Sequence, residues 1–227
     1  MKLNGRVRVV SLGLGLILSS SACCMSRDGI YAGIGLGGVS DQFDLTTRNT
    51  ATGYTITSPT SSASSFLGNV FVGYGTTLVS GLYLAGELGT DYPRRQTTIN
   101  NRPGVTLTNY TFSNALRVQD YVTFDGLVGY RVNESWLAYA RLGLSYSNLS
   151  LYQPAIPITP AFNFSDSAIA GRIGAGINYG FSQNLGFGLD YIYMTYQENN
   201  AYAWAYNTSY KQQVSSNYVG ISIFYTI

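Results

Sequence analysis

Apolar and polar residues alternate with a period of two along most of this chain. The clearest run is NYVGISIFYTI, residues 217 to 227, in which Val219, Ile221, Ile223, Tyr225 and Ile227 are apolar at every second position. Tyr218, Gly220, Ser222, Phe224 and Thr226 stand between them without a charge. Side chains alternate across a strand, so this run predicts a β-strand whose two faces meet different media. Similar stripes include Ile30–Leu36, Phe66–Tyr74 and Leu82–Leu88, then Val118–Tyr130, Trp136–Tyr146, Ile169–Tyr179 and Phe187–Tyr193. With the terminal run, eight strands are predicted.

The connections fall into two kinds. Short turns lie at 75–81, 131–135 and 181–186, whereas polar stretches at 40–64, 93–115, 148–166 and 197–215 are long. Strict alternation of short and long connections is what an up-and-down barrel across a bilayer produces, with its short turns on one side. Each apolar stripe approaches the roughly 9–11 residues that a tilted strand needs to cross hydrocarbon. The apolar parity also carries aromatic residues at the short-turn end, namely Tyr74, Tyr130, Trp136, Tyr179, Phe187 and Tyr225. Tyr146 and Tyr193 lie toward the other end. Two aromatic girdles bounding an apolar band mark a bilayer interface rather than a sandwich core. A ligand-binding barrel of lipocalin type would need the reverse parity.

The opposite parity then faces a lumen. Glu87, Asp125, Arg141 and Asp190 fall at one depth on four strands, with Arg172 somewhat higher. Together they are expected to form an interior charge network, because each alone carries a large desolvation penalty. Asp120 is read as the one charge on the lipid parity, placed at the outer rim where it reaches water.

Composition sharpens this picture. Only 11% of residues are charged, well under the roughly 25% of an ordinary soluble domain. The 26 glycines and 20 tyrosines suit a narrow β wall better than helices. Lys2, Arg6 and Arg8 precede the apolar stretch Val9–Leu18 and the small residues SSSAC, the layout of an export signal over 1–26 before a barrel domain over 27–227. Removing those three basic residues turns the net charge from +2 to −1, so no nucleic-acid partner is expected. Ser20-Ser21-Ala22-Cys23 partly resembles a lipobox, which leaves lipidation at Cys23 open beside plain cleavage after Ala22 or Ser26. The sequence has no His. General-base catalysis near neutral pH and most zinc sites therefore lack their usual residue, and no enzyme, cofactor or metal is expected. Gly33 to Gly38 formally match a dinucleotide fingerprint, but a polar loop follows instead of a helix.

The segments GIYAGIGLGG, LYLAGELG, LAYARLGLSY and IAGRIGAGINYG, with the terminal strand, resemble the eight-stranded outer-membrane β-barrels: the OmpA transmembrane domain, OmpX and the opacity-type surface proteins. The resemblance implies an all-β antiparallel transmembrane barrel with short periplasmic turns and four long outer loops. It also implies the bacterial outer membrane as location and outer-membrane lipids and lipopolysaccharide as surroundings. Residues 217–227 would be offered to the barrel-assembly machinery, although Ile227 stands where the family usually ends in Phe or Trp. The expected function is a monomeric, non-enzymatic surface structure whose loops meet a surface ligand, serve adhesion or support envelope integrity. A small porin-like channel is the alternative.

Overall fold

The computed structural model describes residues 27–57, 60–101, 112–155, 161–182, 184–203 and 207–227; the expected signal and Cys23 lie outside them. Strands β1 (Gly29–Asn49), β2 (Thr55–Thr57), β3 (Ser61–Thr77) and β4 (Leu82–Tyr92) come first. Next are β5 (Arg95–Asn101), β6 (Phe112–Arg131), β7 (Trp136–Gln153) and β8 (Phe162–Gly180). Last are β9 (Leu185–Tyr196), β10 (Asn199–Ala203) and β11 (Thr208–Thr226). All pairings are antiparallel between neighbours in the ring β1–β3–β4–β6–β7–β8–β9–β11. β5 continues the wall of β4 by pairing with β6, and β10 continues that of β9 by pairing with β11.

The ring closes where β1 pairs with β11, from Tyr31 opposite Thr226 to Asn49 opposite Thr208. This is the eight-walled up-and-down barrel that the alternation predicts. The short turns are fixed by local chemistry. Gly81, at φ 81°, takes a left-handed conformation that a side chain would strain, and its N–H bonds the Leu78 carbonyl at 2.9 Å. Asn133 Oδ1 accepts from the N–H groups of Ser135 and Trp136, both at 2.9 Å, and so turns the chain into β7.

The long connections differ from expectation. Most of the residues read as polar loops belong to strands: β1 runs to Asn49, β6 begins by Phe112 and β11 begins at Thr208. The barrel therefore rises well past its apolar band as paired strands. Along that rise the two faces exchange character. In the band, Ile34, Val70, Leu142, Ile173 and Ile221 are at least half exposed on the outside. Above it Phe43, Leu45, Leu116, Leu149, Leu151 and Val214 are buried inside, with Gln42, Asp44, Gln96, Thr98 and Gln213 outside. Water around the upper storey drives apolar side chains inward, whereas hydrocarbon around the lower storey removes that drive.

One parity reading is overturned here. Asp120 pairs with Ser147 and Val122 with Tyr146, so Tyr121 is an extra residue without a partner in the ladder. Such a bulge shifts the side-chain alternation by one. Val118 and Asp120 therefore face the lumen, at 0% and 4% exposure, not lipid or the rim.

The change of storey along β11 makes a direct prediction. Ile223 faces outward inside the band, and Gln213 faces outward above it. An arginine at a lipid-facing midplane costs about 2–4 kcal/mol. Ile223→Arg is expected to reduce the folded, heat-modifiable band on a cold gel, while Gln213→Arg leaves it intact. Equal loss in both variants would place the band edge wrongly.

Candidate functional site

Small residues and inward polar residues meet inside the lower storey. Glu87 on β4, Asp125 on β6, Arg141 on β7, Arg172 on β8 and Asp190 on β9 are all buried in one network. Arg141 is its centre: Nη1 lies 2.8 Å from Glu87 and 2.7 Å from Asp125, and Nη2 lies 3.3 Å from Asp190. Arg172 reaches Asp125 at 3.1 Å and Asp91 at 3.0 Å. Arg27 approaches Glu87 at 2.9 Å from the short-turn end.

A second cluster sits above the first. Arg95 on β5 binds Asp41 at 2.7 Å and Asp120 at 2.6 Å, and donates to the Tyr196 hydroxyl at 2.6 Å. Ser145, Ser147 and Tyr196 donate to Asp120, at 3.1, 2.5 and 2.9 Å, and Ser216 donates to Asp41. Among the described residues the lumen holds six buried carboxylates and four arginines. Hydroxyl donors supply what the missing cations would: Tyr31 donates to Glu87 at 2.9 Å and Tyr139 to Asp190 at 2.6 Å.

Sequence reading misses Arg27, Asp41, Asp91 and Arg95. Asp41 and Arg95 lie in stretches taken for loops, and Asp91 lies beyond the stripe assigned to its strand. Following the parity of Glu87 onward through Asp91 to Arg95 would have found two of them. The six girdle aromatics all lie on the outer surface: Tyr74, Tyr130, Trp136, Phe187 and Tyr225 are exposed, and Tyr179 is half-buried against Trp136, with ring centres 4.8 Å apart.

The chemistry that this lumen allows is limited. The enclosed cavity among Asn69, Glu87, Asp91, Asp125, Arg141 and Arg172 measures about 20 Å³, room for a single water. Its carboxylates are engaged by guanidinium groups. Among the described residues no group of three or more His, Cys, Asp or Glu is arranged to hold a metal ion. Gly33 to Gly38 lie within β1, paired on both sides and opening no helix.

The outer rim is wet and polar. Arg94 donates through Nε and Nη2 to Gln119 at 3.1 and 2.9 Å, and Arg117 donates to Gln96 at 2.8 Å. Both stand on the outward face of β5 and β6 or the turn before them, above the exposed Tyr92 and Tyr121. The first and last outer hairpins are tied together, since Thr50 N–H donates to the Asn207 carbonyl at 2.6 Å and Thr50 Oγ1 hydrogen-bonds the Tyr202 hydroxyl at 3.1 Å. Lys211 pairs with Glu198 at 2.5 Å, and its hydrogen bond holds that carboxyl below the usual carboxylate range.

Comparison with known proteins agrees with this architecture. The family described as outer membrane protein β-barrel domain matches residues 10–221. No curated protein matches the sequence. Among solved structures, the outer membrane protease OmpT from Escherichia coli is similar at 10% identity and a TM-score of 0.53, covering 91% of this chain and 100% of that one. Neisserial surface protein A is similar at 12% identity and 0.45, over 86% and 97% of the two chains. Ail, the attachment invasion locus protein of Yersinia pestis, is similar at 14% identity and 0.39, over 87% and 99%. At 10% identity the likeness to OmpT extends to the fold alone.

The network predicts an asymmetry between interior and surface pairs. Glu87→Ala leaves Arg27 and Arg141 short of a partner, and breaking a buried pair costs about 3–5 kcal/mol. The urea midpoint of the refolded protein should fall sharply. Glu198→Ala, at the exposed pair, should leave it unchanged. Equal midpoints in both variants would mean that the interior network carries no stability.

Proposed function

The chain belongs to the outer membrane protein β-barrel domain family, and from that premise we propose that it is a non-enzymatic surface structure of the bacterial outer membrane, presenting outer hairpins to a ligand outside the cell. The observation that carries the reading is the filled lumen beneath a strand-built outer storey. Charge pairs fill the lower half, and in the upper half apolar side chains pack around and above the Arg95 cluster. This packing supports the rim and its hairpins, rather than a passage, as the working part of the barrel. A porin-like channel would need a continuous polar path, which the apolar upper core opposes.

The rim also suits its lipid surroundings. Arg94 and Arg117, oriented by Gln119 and Gln96 above Tyr92 and Tyr121, support a reading in which they meet phosphate groups of lipopolysaccharide in the outer leaflet. Residues 217–227, of which 217–225 are paired on both edges in the finished ring, would supply the strand that the assembly machinery holds until β1 joins it. A closed ring with no free edge in the band suits a monomer.

Two measurements test the proposal. Epitope tags inserted after Thr52 and Asn207 should be labelled on intact cells, and tags after Val79 and Asn133 should not. The purified protein in a planar bilayer should show no steady conductance. A steady ion current through the unmodified barrel would favour the channel, and labelling at Val79 would invert the topology.

A further inference from the structure

Arg27 stands before β1, outside every strand, yet only 2% of it is exposed. Its guanidinium carbon lies 4.1 Å from the centre of the Phe224 ring and 4.6 Å from that of Tyr31. Phe71 and Tyr139 follow at 5.4 and 5.9 Å. Nη1 donates to Glu87 at 2.9 Å, and the Tyr83 hydroxyl donates to the Arg27 carbonyl oxygen at 3.4 Å. The rings come from β11, β1, β3 and β7 and the carboxylate from β4, so one side chain touches five walls of the barrel.

This cage is built from the glycines of neighbouring strands. A Cβ on Gly73 would run into the Tyr31 ring, and one on Gly33 into Phe71 and Phe224. Gly176 makes the same room for Tyr139, and Gly75 for the Tyr83 hydroxyl. Bare backbone lets large rings lie against the wall and leave a space between them. Ring faces attract a cation, and the attraction grows where water is excluded. Among the described residues Arg27 Nε and Nη2 have no hydrogen-bond partner. The cage therefore holds its cation by ring faces and one carboxylate. That set favours a flat, weakly hydrated guanidinium over an ammonium, which is more strongly hydrated and presents three donors of its own.

We infer that the short-turn end of the lumen is a guanidinium-binding site, which the chain fills with its own Arg27 to latch its first strand to its last. Phe224 and Tyr31, whose ring centres are 6.5 Å apart, belong to the two strands of the closing seam. The cation between them clamps that seam from inside, through side chains rather than the backbone ladder. The ligand class is a monoalkylguanidinium. A free one enters the same cage once the Arg27 side chain is cut back.

Arg27→Ala, refolded in detergent micelles and titrated with methylguanidinium at millimolar concentration, tests the site. The variant should show a lowered urea midpoint that methylguanidinium restores saturably. Methylammonium should restore little, and the wild type, its cage already filled, should not respond. If Arg27→Ala fails to fold alone, its heat-modifiable band should return when methylguanidinium is present during refolding. No rescue in either form, or rescue equal to the wild-type response, would overturn the assignment. In wild-type protein the Arg27 side-chain protons should show strong upfield ring-current shifts by NMR. Unshifted resonances would overturn the assignment without any variant.

Discussion

A strand in hydrocarbon has nothing to hydrogen-bond except another strand, and an unpaired backbone group there costs several kcal/mol. The rest of this structure depends on that constraint. It obliges β1 and β11 to meet, and they pair from Tyr31 and Thr226 up to Asn49 and Thr208. Closing eight strands leaves a lumen only about wide enough for side chains to fill. Whatever points inward must then satisfy itself in a confined space. Guanidinium groups suit this task because their planar donors can serve several carboxylates at once, as Arg141 serves Glu87, Asp125 and Asp190.

The inversion between storeys follows from the same constraint with a change of solvent. Hydrocarbon around the band accepts Ile34, Leu142 and Ile221 on the outside and offers no reward for hiding them. Once the strands rise into water, apolar side chains are driven inward, and Phe43, Leu45, Leu149 and Leu151 form an ordinary core. One continuous strand therefore carries two opposite patterns. In β1 the outward side chains run from Ile30 and Leu36 to Gln42 and Asp44 without any break in the backbone ladder.

This explains what was legible in the sequence and what was not. Alternation in the band is strong, since one face meets lipid and the other meets charges. Strand number, ring order, short turns, the outward aromatics and the five central charges could all be read from it. The upper storey was not, because its outward Ser, Thr, Asn and Gln resemble loop composition, and alternation there has the opposite sign. Residues 40–49 and 208–215 looked like loops for that reason. Arg27 was hidden differently: it precedes the first stripe, and nothing local marks a residue that folds back into a lumen.

Asp120 shows how the two storeys are joined. Regular alternation would put residues 120 and 125 on opposite faces, since they are separated by an odd number of positions. The extra residue at Tyr121 restores both to the inside. β6 can then supply Asp125 to the Arg141 and Arg172 network below and Asp120 to Arg95 above. On the neighbouring wall Glu87, Asp91 and Arg95 keep an even spacing and need no bulge, although β4 gives way to β5 between them. A bulge bends its strand and increases the local twist, at some cost in ladder hydrogen bonds. Here it also keeps a carboxylate off the lipid face, where a charge near the band would be far more costly. The irregularity is thus what lets one wall serve both ionic clusters while the lipid-facing band of the barrel stays uncharged.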